Sequence, residues 1–395
     1  MPTDLLQALL ASLEEELPRA TVLRERLHAS PEPSHEERVT AGLVAKNLGT
    51  ESMGPVAHTG LLARVGPAGD AVVVRAELDA LPIEEETTAP FAAANGLMHA
   101  CGHDVHMAAL AAVFRAAGRM DRRLTKPLAA LYQPSEETYP SGADLVVKGG
   151  TLASGTAAVV AAHVHPDVPW GSVSVEPGPV NASCDYLRIV VEGSGGHGAY
   201  PHRARDPILA LSHAVVALQA LVSRRTDPMH AAVFSVGWLR AGSAENVIPG
   251  LAEAGGTLRA LHPEDREPLR RMTREIVANT ARAHGCSGRV EVTAGEPATV
   301  NDTALARAVR SLLPEAGFGL APAMRSCGSD DFGFYGRVAP TLMLFVGVGG
   351  APNTSDVPLH HPRFLPPAEA VGAVARSQAV AFVAAAAPPE PGPEA

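Results

Sequence analysis

The segment HACGHDVH, residues 99–106, places three histidines, one cysteine and one aspartate within eight positions. Cys101 and His103 are separated by a single residue, and this pair allows three interpretations. It can mark the start of a helix, with Asp104 accepting backbone N–H bonds as a cap. Cys101 can be a nucleophile whose base comes from elsewhere in the chain. The pair can also bind a metal ion, because thiolate and imidazole are donors suited to Zn²⁺ and similar ions.

Further clusters of donor side chains favour the metal interpretation. YQPSEETY supplies adjacent carboxylates, Glu136 and Glu137, in a loop that follows an apolar strand. Such a pair is ordinarily a solvated surface feature, but this one follows a buried strand and a proline. Adjacent side chains diverge, so we expect one to bind a metal ion and the other to face a water molecule. The remaining clusters are pairs of histidines in AAHVHP, which ends a predicted strand, and in PLHHPRF: His163 and His165, and His360 and His361.

The elements that must position these donors alternate between strands and helices. Up to about residue 182 the pattern predicts an α/β fold with a mixed, mainly parallel sheet flanked by helices, and with polar groups at strand ends. From Leu187 the pattern changes to β-α-β-β-α-β, the ferredoxin-like α+β order. We therefore predict a discontinuous catalytic domain, 1–182 and 296–385, an inserted lid or dimerisation domain, 183–295, and a flexible tail, 386–395.

Composition excludes several classes of function. The chain has 395 residues, of which 46% are hydrophobic, and a formal net charge of −10. The acidic balance argues against a nucleic-acid partner, because phosphate binding requires a basic face. No apolar run is long enough to span a bilayer, and the N-terminal segment lacks the pattern of a signal peptide. The four cysteines are scattered and form no disulfide framework, so we expect a cytoplasmic protein.

Nine motifs occur in the order seen in one family of enzymes. They are RAELDALP, MHACGHD, QPSEE, AAHVHP, GSGGHGAYPHRARDPI, ENVIP, VND, GSDDFGFY and LHHPRF. Between Leu27 and Val374 the chain resembles the dinuclear-metal amidohydrolases of the aminoacylase/carboxypeptidase-like metallopeptidases. The resemblance points to the branch that contains hippurate hydrolase, N-acyl-amino-acid amidohydrolases and auxin-conjugate hydrolases. Glu77 and Ser135 depart from the commoner Asp and Ala, and we expect neither to touch a ligand.

The resemblance implies a site for two divalent metal ions. Its ligands would be Cys101, at the bridging position, with His103, Glu137, His163 and His360. His361 remains an alternative to His360. The ligand set suits Zn²⁺, Mn²⁺, Co²⁺ or Ni²⁺.

The resemblance also assigns roles outside the ligand set. Glu136 would be the general base, and Asp79 would be an outer carboxylate that orients a ligand histidine. His197 would reach the active site of a partner subunit and help to hold the oxyanion. Asn246 and Arg259 would bind the free carboxylate of the substrate, for which the guanidinium fork is suited.

The resemblance implies a metal-dependent amidohydrolase that cleaves the amide bond of N-acyl amino acids such as N-acetyl or N-benzoyl compounds. Two alternatives remain: a dipeptidase or carboxypeptidase of the same fold, and a catalytically silent binding dimer. We expect a homodimer, or a tetramer, with a small-molecule substrate and with no nucleic-acid or membrane partner.

Overall fold

The computed structural model describes residues 2–352 and 356–387. The chain divides into two compact units. The first unit takes in the chain up to Gly178, the segment Val300–Met324 and the chain from Asp331 onward. The predicted tail, 386–395, lies outside the described residues from position 388.

The second unit comprises Pro179–Thr299 and the short segment Arg325–Asp330. The sequence prediction had placed residues 325–330 in the catalytic domain, whereas here they group with the second unit. The reason is local: Ala182 N–H donates to the carbonyl oxygens of Ser326 and Gly328, both at 3.1 Å.

The elements are numbered in chain order. The strands are β1 Met53–Val56, β2 Gly60–Val65, β3 Ala71–Glu77, β4 Leu128–Gln133, β5 Thr156–Pro169, β6 Ser172–Ser174, β7 Gly178–Asn181, β8 Ser183–Glu192, β9 Gly196–His197, β10 Ala232–Ala241, β11 Val247–Ile248, β12 Leu251–Ala260, β13 Ser287–Ala294, β14 Thr299–Asn301, β15 Gly319–Leu320 and β16 Thr341–Gly349. The α-helices are α1 Pro2–Glu14, α2 Leu17–Ala29, α3 Arg38–Leu48, α4 His103–Arg119, α5 Gly142–Lys148, α6 Pro207–Leu218, α7 Pro263–Ala283, α8 Thr303–Leu312 and α9 Ala370–Ala386.

The first unit is built on a mixed sheet in the order β1-β2-β4-β3-β5-β16-β6-β15. Its centre, β4-β3-β5-β16, is parallel, and antiparallel strands lie towards both edges. Every residue of β3 and β4 is buried, as expected for central parallel strands covered on both faces. Helices flank this sheet, which confirms the predicted α/β class.

Small side chains allow close packing in the first unit. The helix α4 buries nearly its whole length, and so does the alanine-rich α9. Alanine, valine and leucine predominate in this core, as the low aromatic content of 4% requires. The core therefore holds the parallel strands, and the loops at their C-terminal ends, in fixed positions.

The second unit has an antiparallel sheet in the order β10-β12-β8-β13. Along the chain, its elements run β8-α6-β10-β12-α7-β13, which is the βαββαβ order. The helices α6 and α7 cover one face of this sheet, where they form a core with Leu187, Ile189 and Val191 of β8. These two helices leave the opposite face of the sheet uncovered. In the part of the chain that the structure describes, no helix is long and apolar enough to cross a membrane.

Candidate metal centre

Loops and strand ends of the first unit carry the predicted donors. Asp79 follows β3, and Glu136 and Glu137 follow β4 in the adjacent loop. His163 lies inside β5, which continues to Pro169, rather than at a strand end as expected from the sequence. The pairing of β5 with β3 stops at Ala161, so His163 lies on the part of β5 that extends past its neighbour.

His103 is the first residue of α4 and is buried. Its Nδ1–H donates to the main-chain oxygen of Asp79 at 2.8 Å, because a carbonyl can only accept. In the neutral ring the other nitrogen, Nε2, then carries the lone pair. It is buried and makes no hydrogen bond with any described residue. It lies 3.9 Å from Oε2 of Glu136 and 3.9 Å from Oε1 of Glu137.

His163 presents its ring in the same way. Its Nδ1–H donates to the main-chain oxygen of Val164 at 2.7 Å, which leaves Nε2 as the nitrogen with a lone pair. That Nε2 lies 3.4 Å from Sγ of Cys101. Burial and the neighbouring His106 lower the pKa of His163 well below its ordinary value. The ring is therefore neutral at pH 7, as a metal ligand must be.

Both adjacent glutamates face the cluster, contrary to the expected divergence of their side chains. The preceding residue, Ser135, has a positive φ of 53°, which turns the loop sharply. Glu37 holds this turn, because its Oε1 accepts the backbone N–H of Ser135 at 2.7 Å. The backbone N–H of Glu137 donates to Oδ2 of Asp79 at 2.9 Å. The loop is therefore fixed from two sides.

His360 completes the cluster. Its Nε2 lies 3.5 Å from Oε1 of Glu137, and its backbone N–H donates to the carbonyl of Ala100 at 2.9 Å. Its φ is also positive, at 64°. The alternative residue, His361, instead accepts the backbone N–H of Arg363 at its Nδ1, at 3.1 Å. The geometry thus favours His360 over His361 as a ligand.

The donor set fits a divalent metal ion. Neighbouring donors are 3.4, 3.5 and 3.9 Å apart. Ligands placed tetrahedrally at zinc distances are about 3.4–3.8 Å apart. Cys101, His103 and Glu137 offer ligand atoms that all lie within 4.8 Å of one another. An imidazole ring whose Nδ1–H donates to a carbonyl, which leaves Nε2 for the metal, is typical of metal-binding histidines.

Negative charge accumulates at this point of the fold. Burial would lower the pKa of His103, but the carboxylates of Glu77, Glu137 and Asp79 outweigh burial and raise the pKa. Burial, together with His103, lowers the pKa of His360. The cluster therefore favours an added positive charge, which a divalent cation would supply.

Asp79 contacts the cluster differently from the prediction. Its carboxylate lies 3.7 Å from Nδ1 of His103, while its main-chain oxygen accepts the short hydrogen bond from that ring. The carboxylate Oδ2 accepts hydrogen bonds from Ser34 Oγ at 2.7 Å and from the Glu137 N–H. Asp79 thus positions a histidine through its backbone and the glutamate loop through its side chain.

Sequence reasoning missed a buried polar network beneath the cluster. His106 accepts the Val164 N–H at Nε2, at 3.0 Å, and donates through Nδ1 to Glu77 at 2.8 Å. Glu77 also pairs with Arg75, which in turn bonds to Asp331 at 2.9 Å. Glu77 lies within 4.8 Å of donor atoms of His103 and His163, closer to the ligand set than expected. A charged Arg75 within the apolar run AVVVRAE was the available signal.

The second unit carries the other predicted site residues. The strand β9 ends at His197 and pairs with β11, and the carbonyl of Asn246 accepts the Gly198 N–H at 2.7 Å. Arg259 lies near the end of β12, where its Nη1 donates to the carbonyl of Cys327 at 3.0 Å. His197 and Asn246 are therefore close together. His197 and Asn246 adjoin the Leu251 end of β12, opposite the end that carries Arg259, because the Gly193 N–H donates to the Gly250 carbonyl.

Known proteins share this chain's sequence and fold. A family model described as peptidase family M20/M25/M40 matches residues 73–380. An N-acetyl-L-cysteine deacetylase of Bacillus subtilis is 35% identical over 90% of this chain and 84% of its own length. An N-acetyldiaminopimelate deacetylase of Bacillus licheniformis is 32% identical over 93% of this chain and 98% of its own length.

A solved structure agrees with these relatives. The Bacillus subtilis YXEP protein, described as a dinuclear metal binding peptidase from the M20 family, superposes with a TM-score of 0.82 at 29% identity. The superposition covers 94% of this chain and 98% of that one. With the family model matched over most of its length, the chain belongs to peptidase family M20/M25/M40 and is a metal-dependent amide-bond hydrolase.

Proposed function

We propose that the protein hydrolyses the amide bond of N-acyl amino acids, such as N-acetyl or N-benzoyl compounds, to a carboxylate and a free amino acid. The observation that carries this proposal is the convergence of Cys101, His103, Glu137 and His163 with a further carboxylate, Glu136. The two deacetylases named above act on N-acetyl amino acids, and this supports the same substrate class.

The residues that would hold two divalent ions are Cys101, His103, Glu137, His163 and His360. When bound, the ions polarise the scissile carbonyl and make the attacking water more acidic. Glu136 is the general base in this proposal: it takes the proton from the water and passes it to the leaving amine. The ions are Zn²⁺, Mn²⁺, Co²⁺ or Ni²⁺, which this mixture of thiolate, imidazole and carboxylate can bind.

Substrate binding is assigned to the second unit. Arg259 binds the free carboxylate of the amino-acid part, which a guanidinium can bind through two parallel hydrogen bonds. Asn246 lies beside His197, at the other end of β12, and would bind the substrate together with His197 in the site of a partner subunit. Nη1 of Arg259 donates a hydrogen bond to the Cys327 carbonyl, and this bond orients the guanidinium group. His197 helps to stabilise the oxyanion in a partner subunit.

A homodimer is part of the proposal because His197 acts in the partner. The strand β10 forms one edge of its sheet and exposes Trp238 and Leu239. The helix α6 exposes Leu209 and Val216, the latter by 73%. An exposed strand edge beside apolar side chains is a surface that pairs readily with a second chain. The cytoplasmic location and the possible tetramer stay predictions.

Hydrolysis assays test the proposal. The purified protein is treated with chelator and reconstituted with each of the four metals, and is then given N-acetyl-L-methionine, hippurate and a simple dipeptide. We expect hydrolysis of the N-acyl amino acids only with metal, and little hydrolysis of an N-acetyl amino acid amide, which lacks the free carboxylate. Preference for the dipeptide would support the dipeptidase alternative. Absence of hydrolysis with every metal would support the silent binding dimer.

A further inference from the structure

Glu296 is an acidic residue with no role in the proposed site so far. It follows β13 in the second unit, and its main-chain oxygen accepts the Cys184 N–H at 3.0 Å. Cys184 is also the residue of β8 that pairs with Arg259 of β12. Glu296 and Arg259 therefore flank the same residue of β8 from opposite sides. Their backbones are about 10 Å apart, which is two strand spacings.

One oxygen of the Glu296 carboxylate lacks a partner. Its Oε2 is buried and forms no hydrogen bond with any residue that the structure describes. Burial raises the pKa of Glu296 above its ordinary value, while a hydrogen bond from its own backbone N–H and the charges of Arg259 and Arg266 oppose this shift. A buried carboxylate oxygen without a hydrogen-bond partner is costly, so such an atom in a native fold calls for an explanation.

An internal ion pair does not supply that explanation. Arg259 is the nearby cation on the open sheet face, yet it donates to the Cys327 carbonyl. Among the described residues, Arg259 and Glu296 form no ion pair with each other within 4.0 Å. Arg266, the other cation, is held by both carboxylate oxygens of Asp185, at 2.7 and 3.2 Å. The charges of Glu296 and Arg259 are thus left for a third group.

An aromatic side chain lies beside these two charges. The Tyr186 side chain is 46% exposed and lies in the same region. Burial raises the pKa of Tyr186, Glu296 raises it further and Arg259 opposes the change, so its hydroxyl senses both charges. A Cβ at Gly295 would lie 3.2 Å from the Tyr186 ring, so the glycine allows the ring to pack closely at this position. An aromatic face beside a carboxylate suits a cationic group.

We propose that Glu296 selects N-acyl amino acids whose side chain ends in an ammonium group. In this arrangement Arg259 holds the α-carboxylate, and Glu296 pairs with the ammonium at the far end of the same substrate. Because Arg259 and Glu296 lie on opposite sides of β8, the two ends of one extended substrate would meet opposite charges. This inference rests on the proposed function, because it uses Arg259 as the carboxylate-binding residue.

The test compares two substrates that differ by one charged group. Nα-acetyl-L-norleucine lacks the terminal ammonium of Nα-acetyl-L-lysine and otherwise carries the same carbon chain. For the metal-loaded enzyme we expect the ratio of kcat/KM, lysine over norleucine compound, to be about ten or more. In the Glu296→Gln variant this ratio should fall about tenfold, because the amide keeps the shape and removes the charge.

A matched control separates local pairing from the general field of the protein. Glu291 on β13 is also acidic, but it is half-exposed and already paired with Arg188 at 3.0 Å. The Glu291→Gln variant should keep the wild-type ratio. A wild-type ratio of one or less, or an unchanged ratio in Glu296→Gln, overturns the inference while the proposed function stands. If wild type hydrolyses neither compound, nor the neutral N-acyl amino acids above, the proposed function fails with it.

Discussion

At the scale of single residues, the adjacent glutamates differ in what else they touch. Both reach Nε2 of His103 at 3.9 Å. Glu137 also lies 3.5 Å from His360, and Asp79 accepts its backbone N–H. Glu137 therefore lies between two imidazoles, as a ligand would. Glu136 has 12% of its side chain exposed, so a proton acceptor at this position can meet water.

The variant Glu136→Gln should lose turnover and keep its metal. The amide has the shape of the carboxylate but cannot take a proton, so we expect a loss of about 10²–10⁴-fold in kcat. Metal content by mass spectrometry should match wild type. As a control, Glu137→Gln should lose metal as well as activity. Substantial turnover by Glu136→Gln would show that another group is the base.

His28 is a second residue whose protonation is set by its neighbours. Its Nδ1 lies 2.9 Å from Asp104 and its Nε2 lies 3.1 Å from Glu85. Burial would lower the pKa of His28, but these two carboxylates outweigh burial, against the opposing charge of Arg24, and raise the pKa to about 9. The folded protein thus holds this proton more tightly than the unfolded chain, whose histidine has a pKa near 6.5.

Stability should therefore fall as the pH rises through the alkaline range. The contribution of His28 is fully present below about pH 6.5 and is lost as the pH rises through 9. Its size is on the order of 3 kcal/mol. Denaturant unfolding of metal-free protein at pH 6.5 and pH 9.5 should show this loss in wild type. The loss should be absent in His28→Gln and unchanged in His58→Gln, which alters an exposed histidine.

At the scale of elements, the start of α4 determines where two predicted ligands lie. Gly102, between Cys101 and His103, has a φ of 85°. A Cβ at this position would lie 2.4 Å from Cγ2 of Val164 on β5. The helix start is thus pressed against the strand that carries His163. This close approach brings the sulfur of Cys101 to the ring of His163.

The substitution Gly102→Ala should destabilise the protein and weaken metal binding. The left-handed backbone alone costs about 1–2 kcal/mol for a residue with a Cβ. The contact with Val164 adds to this and displaces the two ligands. Gly49→Ala is the control, because Gly49 has a φ of 69° but open space around it. A similar Tm loss in both variants, with full metal content, would contradict the role given to Gly102.

Many of the strands and helices, and the polar residues at their ends, could be predicted from the sequence, because local residue patterns determine them. The apolar run of β3 and the polar residues behind it indicated a buried strand with chemistry at its end. The length of β5 could not be predicted, since its extension past Ala161 is set by pairing with β16. The pairing of Arg75 with Asp331 was also not predictable, because it joins positions 256 residues apart. Neither feature leaves a local signature.

At the scale of the whole molecule, the second unit separates two predicted site residues. Arg259 and Leu251 lie near opposite ends of β12, and the His197 segment adjoins the Leu251 end. Eight residues of strand span about 26 Å. A small substrate held by Arg259 is thus distant from His197 of the same chain. This separation supports the proposal that His197 serves a partner subunit.

Mixing two inactive variants should restore activity. In a heterodimer of His197→Ala with Glu136→Gln, one site has an intact Glu136 and receives His197 from the other chain. After unfolding and refolding of an equal mixture with metal, roughly a quarter of the sites should be intact. Each variant alone, treated identically, is the control. No gain of activity on mixing would place His197 in the site of its own chain.

The hydrogen bond between His360 and Ala100 has a consequence for biosynthesis. The chain is made from the N-terminus, and about 250 residues separate the His103 loop from the His360 loop that closes over it. At typical translation rates the interval is roughly 10–50 s. During that time the Cys101 thiol exists without the last predicted ligand, and Arg75 lacks Asp331. With the proposed ligands, the complete set therefore forms only after residue 360 has been synthesised, late in translation.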